Sequence, residues 1–127
     1  MQRKFRLTRS EDFKRVRRSG KSYAHPLVVL IVLESEKSEQ PRVRVGVAAG
    51  RTVGTAVIRN RTKRLLREAM RRLIPNIALD QTQDSASGLD LVLIARPGLA
   101  SASLDETRQA LLNLMKRAHI LSPVYEF

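Results

Sequence analysis

Five side chains of one predicted helix, Asn60, Lys63, Arg64, Arg67 and Arg71, fall on a single face and have the chemistry to hold phosphate oxygens. The run that carries them is GTAVIRNRTKRLLREAMRR, from Gly54 to Arg72. At about 100° per residue, Ile58, Thr62, Leu65, Leu66, Ala69 and Leu73 share the opposite, apolar face. Guanidinium is planar, permanently charged and able to bond two oxygens at once, which suits it to phosphodiesters. A face that is merely solvated tends to mix signs, because like charges four residues apart repel. Lys63–Arg67 and Arg67–Arg71 both carry that repulsion, and Glu68 relieves only part of it. Arg59 and Arg61 stand in or near the first turn, where the helix dipole opposes cations. A bound phosphate satisfies the dipole and the arginines together. The helix reads as an RNA-binding surface.

The groups needed to cut RNA directly do not assemble in the same way. Metal-dependent cleavage requires carboxylates or imidazoles clustered around an ion. Glu11 and Asp12 are adjacent, and adjacency on a helix points them apart; compensation of the helix dipole accounts for them. Asp105 and Glu106 belong to a helix start, while Asp80 and Asp84 lie in a polar connection. His25 precedes Pro26 and His119 ends the last predicted helix, so a surface or packing role is expected of each. No nucleophile–base pair emerges, and neither a catalytic residue nor a protein metal site is expected.

The elements that must position the basic helix follow from the patterning. Ser10 is expected to cap a short helix through about Arg18, with Gly20 ending it. Leu27–Leu33 (LVVLIVL) has the composition of a strand buried on both faces. Glu34 to Pro41 is polar and reads as a turn. Val43, Val45 and Val47 alternate with Arg44, Gly46 and Ala48, a strand with one apolar and one small-residue face. These two strands are expected to form an antiparallel hairpin. Thr55 caps the basic helix and Pro75 stops it. A flexible connection spans about residues 76–88, low in apolar residues. Leu89–Ala95 is a further strand. Ser103 and Glu106 form a capping box for a last helix through about His119, with Leu104, Leu111, Leu112 and Met115 as its apolar stripe. The order α-β-β-α-β-α, with a further short strand allowed, implies an α+β sandwich in one domain, residues 1–127.

Charge is segregated along the chain. The net charge is +12 over 127 residues. Residues 1–21 carry nine Lys/Arg against two acids, and residues 51–72 carry eight against one; the segment between is balanced and the remainder slightly acidic. Solubility does not demand such blocks, whereas a polyanionic partner does. Cysteine is absent, which excludes disulfides and thiolate metal sites and fits a reducing cytoplasm. The basic stretch Met1–Lys21 lacks the apolar run of a secretory signal. Leu27–Leu33 is far too short to span a bilayer. A soluble, cytoplasmic protein with no membrane partner is expected.

An ordered set of residues carries a resemblance. Val45-Gly46, then Gly54-x-Ala56-Val57-x-Arg59-Asn60-Arg61-x-Lys63-Arg64-x-x-Arg67-Glu68, resembles the signature of the bacterial ribonuclease P protein subunit. Leu7, Phe13, Val16 and Gly20 fit the family's N-terminal pattern, and Asp90–Arg96 resembles its late strand ending in Ala-Arg. The resemblance implies an α-β sandwich with a mixed sheet and a left-handed β-α-β crossover. It also implies a role in the ribonucleoprotein that removes the 5′ leader from precursor tRNA, with the chemistry carried by RNA. On that pattern, Arg51, Arg59, Asn60, Arg61, Lys63, Arg64, Arg67 and Arg71 face the catalytic RNA, some at its border with a cleft for the leader. Phe13, Arg17 and Ala48 line that cleft. Magnesium is implied as a cofactor held mainly by the RNA.

The chain departs from the family where Arg17 replaces a common aromatic, where Gly50-Arg51-Thr52 replaces Ser-Lys-Lys, and where Thr55 replaces Asn. Single strands are held by charge plus flat surfaces on which bases stack. Phe13 with Arg17 one turn on would offer a ring and a guanidinium plane; alternatively Phe13 is a core partner of Val16. Two other classes remain on sequence grounds. One is a structural RNA-binding protein of the ribosomal type, without a substrate cleft. The other is a DNA-binding module, disfavoured because no preceding helix-turn partner exists.

Overall fold

Residues 5–35, 43–77 and 88–121 are described by the computed structural model of the chain. Its regular elements are α1 (Ser10–Ser19), β1 (Lys21–Ala24), β2 (Val28–Ser35), β3 (Val43–Ala49), α2 (Ala56–Arg71), β4 (Gly88–Ala95) and α3 (Leu104–Arg117). Short 3₁₀ turns at Arg51–Val53, Ile74–Asn76 and Pro97–Ser101 punctuate the connections. The further short strand is β1. Glu34 and Ser35, the start of the predicted turn, instead extend β2 by pairing with Leu89 and Gly88. The rest of that turn and most of the connection expected at 76–88, with Asp80 and Asp84, lie outside the described residues. At the margins of that connection, Asn76 ends a 3₁₀ turn, Ile77 bridges to Leu121 and Gly88 opens β4.

The four strands form one mixed sheet in the order β1-β2-β4-β3. The hairpin expected of β2 and β3 is therefore not formed. β4 lies between them, antiparallel to β2 from Val28↔Ala95 to Ser35↔Gly88 and parallel to β3 from Val43↔Leu89 to Ala49↔Ala95. The reason is burial. β4 presents Leu89, Leu91 and Leu93 to one side and Val92 and Ile94 to the other, so only a central position covers both. β3, with one small-residue face, tolerates an edge. Helix α2 makes the crossover between the adjacent parallel strands β3 and β4.

The sheet separates two cores. On one face α2 and α3 pack on Leu30, Val45, Val47, Leu91 and Leu93 through Leu66, Ala69, Met70, Leu111, Leu114 and Met115. On the other face α1 packs Val16 on Ile31 and Val92, with Leu7 alongside. Helix α1 reaches the sheet closely. A Cβ on Gly20 would stand 2.6 Å from the Val16 carbonyl oxygen and 2.7 Å from Ile31 Cγ2, so this approach needs glycine. Ser10 is not the cap of α1; the chain turns one residue earlier, and the Asp12 and Phe13 amides both donate to the Arg9 carbonyl.

The stripe of α3 is broader than predicted. Thr107, Ala110 and Leu114 are buried with Leu111 and Met115, whereas Leu104 and Leu112 are only partly covered. The capping box is formed: Glu106 N–H donates to Ser103 Oγ at 3.0 Å, and Ser103 N–H donates to Glu106 Oε1 at 2.9 Å. Ser103→Ala is expected to lower stability by about 1 kcal/mol in urea unfolding. The backbone and hydroxyl bonds of Ser103 hold the Glu106 carboxyl below its usual pKa. The capping contribution is thus full above the ordinary glutamate range and fades as acid protonates Glu106.

Candidate nucleic-acid interface

Helix α2 begins after Gly54, whose φ of 150° few other residues adopt. Thr55 then caps it, its Oγ1 accepting from the Ile58 amide at 3.4 Å. The helix ends at Arg71, and Pro75 lies beyond it in the following 3₁₀ turn. Thr62, Leu66, Ala69, Met70 and Leu73 are buried, with Ile58 and Leu65 packed at the margin. Thr62 enters the core because its hydroxyl donates to the Ile58 carbonyl at 2.8 Å. Pinning that back leaves Asn60, Arg61, Arg64 and Arg71 exposed along the outer face, with Lys63 half-buried beside them.

The remaining cations of the set are not equivalent. Arg71 is held by Glu68, its Nη2 at 3.0 Å from Oε1, and this bond keeps the Glu68 carboxyl below its usual pKa. Arg59 is half-buried, and its Nε is enclosed without a hydrogen-bond acceptor. Arg51 stands exposed on the 3₁₀ turn between β3 and α2. Arg67 turns toward the outer edge of β3. There it lines a hollow of about 260 Å³ with Arg6, Leu7, Thr8, Phe13, Val45 and Val47. Burial, and then the charge of Arg6, lower its pKa. The segment before α1 closes this hollow by pairing with β3, the Leu7 amide donating to the Val45 carbonyl at 2.8 Å.

Strand register arranges the α1 face of the sheet in three rows across β2, β4 and β3. They are Leu33–Asp90–Arg44, Ile31–Val92–Gly46 and Val29–Ile94–Ala48. The Phe13 ring lies over the middle row: a Cβ on Gly46 would stand 2.5 Å from its Cζ. Phe13 is also packed against the small core around Val16 while remaining half-exposed. Both sequence readings of this residue are therefore compatible with its position. The third row, Val29–Ile94–Ala48, is half-covered and forms an apolar shelf beside the helix. Arg17 is exposed one turn beyond Phe13. Arg17 and Ala48 do not line the hollow that joins Phe13 to Arg67.

One constellation escaped sequence reasoning. Asp90 is 1% exposed, in the first row. Arg44 Nε donates to its Oδ1 at 3.1 Å and Arg44 Nη2 to its Oδ2 at 3.0 Å. Arg15 Nη2 donates to the same Oδ2 at 2.6 Å and to Asp12 Oδ1 at 3.2 Å, and this pairing raises the Arg15 pKa. Asp12 thus serves an ion cluster as well as the first turn of its helix. A carboxylate inside an otherwise apolar strand was the available signal, since aspartate is almost never fully buried unpaired. Elsewhere, His25 Nδ1 accepts from the Leu27 amide at 3.1 Å within its turn. His119 adopts φ 58° just past α3. Among the described residues, no three of His, Cys, Asp and Glu stand together as a metal site, and no helix is long and apolar enough to cross a membrane.

Comparison with known proteins gives consistent matches. The sequence profile of the family described as Ribonuclease P matches residues 1–119. The ribonuclease P protein component of Brevibacillus brevis is 39% identical over 127 residues, covering 98% of this chain and 93% of that protein. That of Herpetosiphon aurantiacus is 38% identical over 120 residues, covering 94% and 89%. The solved ribonuclease P protein of Thermotoga maritima superposes with a TM-score of 0.69 at 31% identity, covering 88% of this chain and 96% of that one. That of Staphylococcus aureus superposes with a TM-score of 0.75 at 24% identity, covering 93% and 98%, a likeness of fold.

Proposed function

This chain belongs to the ribonuclease P protein family, and on that premise we propose that it is the protein part of the ribonucleoprotein that trims the 5′ leader from precursor tRNA. The observation that carries the reading is the outer face of α2, which gathers exposed cations on a helix whose apolar back is buried in the core. That face docks on the catalytic RNA, with Asn60, Arg61, Lys63, Arg64, Arg71 and Arg51 meeting phosphates and Arg59 at the first turn. Its cations offset phosphate repulsion and so favour the folded RNA with its magnesium, which RNA phosphate oxygens hold. This chain supplies electrostatic support and substrate grip, not the cleaving groups. Its place of work is the cytoplasm.

The leader lies on the opposite side of the sheet from the packed back of α2. Phe13 offers a half-exposed ring above Gly46, Ala48 belongs to the apolar shelf beside it, and Arg67 borders the adjoining hollow. A ring and a guanidinium are what a single strand requires, one for a base and one for a phosphate. Arg17, exposed one turn on, adds a second cation along the strand. Contact with the leader alone distinguishes precursor from mature tRNA, a difference of affinities that also favours release of the product.

The direct test is reconstitution with the host's catalytic RNA at low magnesium, scoring precursor cleavage with and without this chain. Stimulation is expected; cleavage by the chain alone, or none gained on adding it, refutes the reading. Phe13→Ala is expected to weaken binding of leader-bearing substrate by about 1–3 kcal/mol, the scale of one base stack, and to spare mature tRNA. Equal losses on both substrates would remove Phe13 from the leader path.

A further inference from the structure

Phe13 is bracketed along α1 by the two residues that enter the ion cluster, Asp12 and Arg15. The cluster sits on the first row of the sheet and the Phe13 ring on the second, one step of two residues away, roughly 7 Å. Apolar packing by Val16 and Leu7 holds α1 against the sheet, but such contacts have little direction. The Arg15–Asp90 bond does have direction. It is short, charge-assisted, and anchored on a strand in the middle of the sheet. Arg44 fixes the same carboxylate from β3 with two bonds, and its Nη1 lies 3.9 Å from Asp12 Oδ2. Two acids and two bases thus close a loop through α1, β4 and β3. Sliding α1 toward the third row would break it.

We propose that the Asp12–Arg15–Asp90–Arg44 cluster is a positioning device, which holds α1 so that Phe13 stays seated over Gly46 and the Val29–Ile94–Ala48 shelf stays open for the leader. The inference rests on the leader reading above and adds its cause: the cleft is set before substrate arrives, so binding does not have to order it. Arg15 and Arg44 are positioning residues in this scheme and touch no RNA. Their charges are neutralised internally, so Arg15, of the first basic block, and Arg44 are withheld from phosphate binding.

Arg15→Met is the informative variant, because Arg44 still compensates Asp90 and the fold keeps its buried carboxylate paired. The readout is affinity for precursor and for mature tRNA in the reconstituted complex, with affinity of the free chain for the catalytic RNA measured alongside. The precursor-to-mature ratio is expected to fall roughly fivefold to tenfold, the scale of side chains released from order. Affinity for the catalytic RNA stays as it was, and Arg15→Lys recovers part of the ratio. Phe13→Ala is run in parallel. A ratio unchanged by Arg15→Met but lowered by Phe13→Ala overturns the positioning role and leaves the leader reading standing. A ratio unchanged by both removes the leader reading and this inference with it. Equal losses toward catalytic RNA and both tRNAs would mark the cluster as a general structural tie and also overturn the proposal.

Discussion

Raising salt from 50 to 200 mM is expected to weaken the proposed complex between this chain and a catalytic RNA by roughly 10³-fold, if about six phosphates are engaged. Each neutralised phosphate releases condensed counterions, so affinity falls as a power of salt concentration whose exponent counts the contacts. Arg61→Ala combined with Arg64→Ala removes two exposed cations from the outer face of α2 without touching its buried back. The loss over the same salt range should then shrink to roughly 10²-fold. Filter or fluorescence titrations at several salt concentrations measure both slopes. A wild-type loss under tenfold would mean far fewer contacts, and an unchanged slope in the double variant would put the docking surface elsewhere.

Asp90→Ala is expected to lower stability more than any other change within the ion cluster. It strips the acceptor from both Arg15 and Arg44 and leaves the two guanidiniums facing each other with Asp12 as the remaining acid. Removing one partner of a buried ion pair costs about 3–5 kcal/mol, a large part of the roughly 5–15 kcal/mol that keeps a domain folded. Water reaches part of Arg15 and Arg44, whose side chains are 34% and 24% exposed, so the lower end of that range is expected. Urea unfolding provides the measurement. A loss below about 1 kcal/mol would show that the cluster is effectively solvated, as surface pairs are.

Legibility differed between elements for identifiable reasons. The basic helix was readable because its message is local: an apolar residue every three or four positions says which side is buried, and the cations between them say what is left outside. The capping box at Ser103 and Glu106 is equally local and formed as read. The pairing of strands was not readable. Each of the two early strands carried a clear alternation, yet nothing within either one records that a segment some 50 residues later slots between them. Ser10 shows the same limit on a smaller scale, where a plausible capping residue became the first residue of the helix.

The proposed binding set divides along the same line. Asn60, Arg61 and Arg64 are presented by helical periodicity, and sequence alone determined that face together with the chain's charge blocks and its family signature. Tertiary structure alone decided that Arg67 turns to the β3 edge, that Phe13 stands over Gly46, and that Asp90 gathers Arg15 and Arg44. The physical reason is range. Periodicity and capping act over one or two helical turns, whereas strand order and the pairing of buried charges arise from contacts between residues up to 75 positions apart.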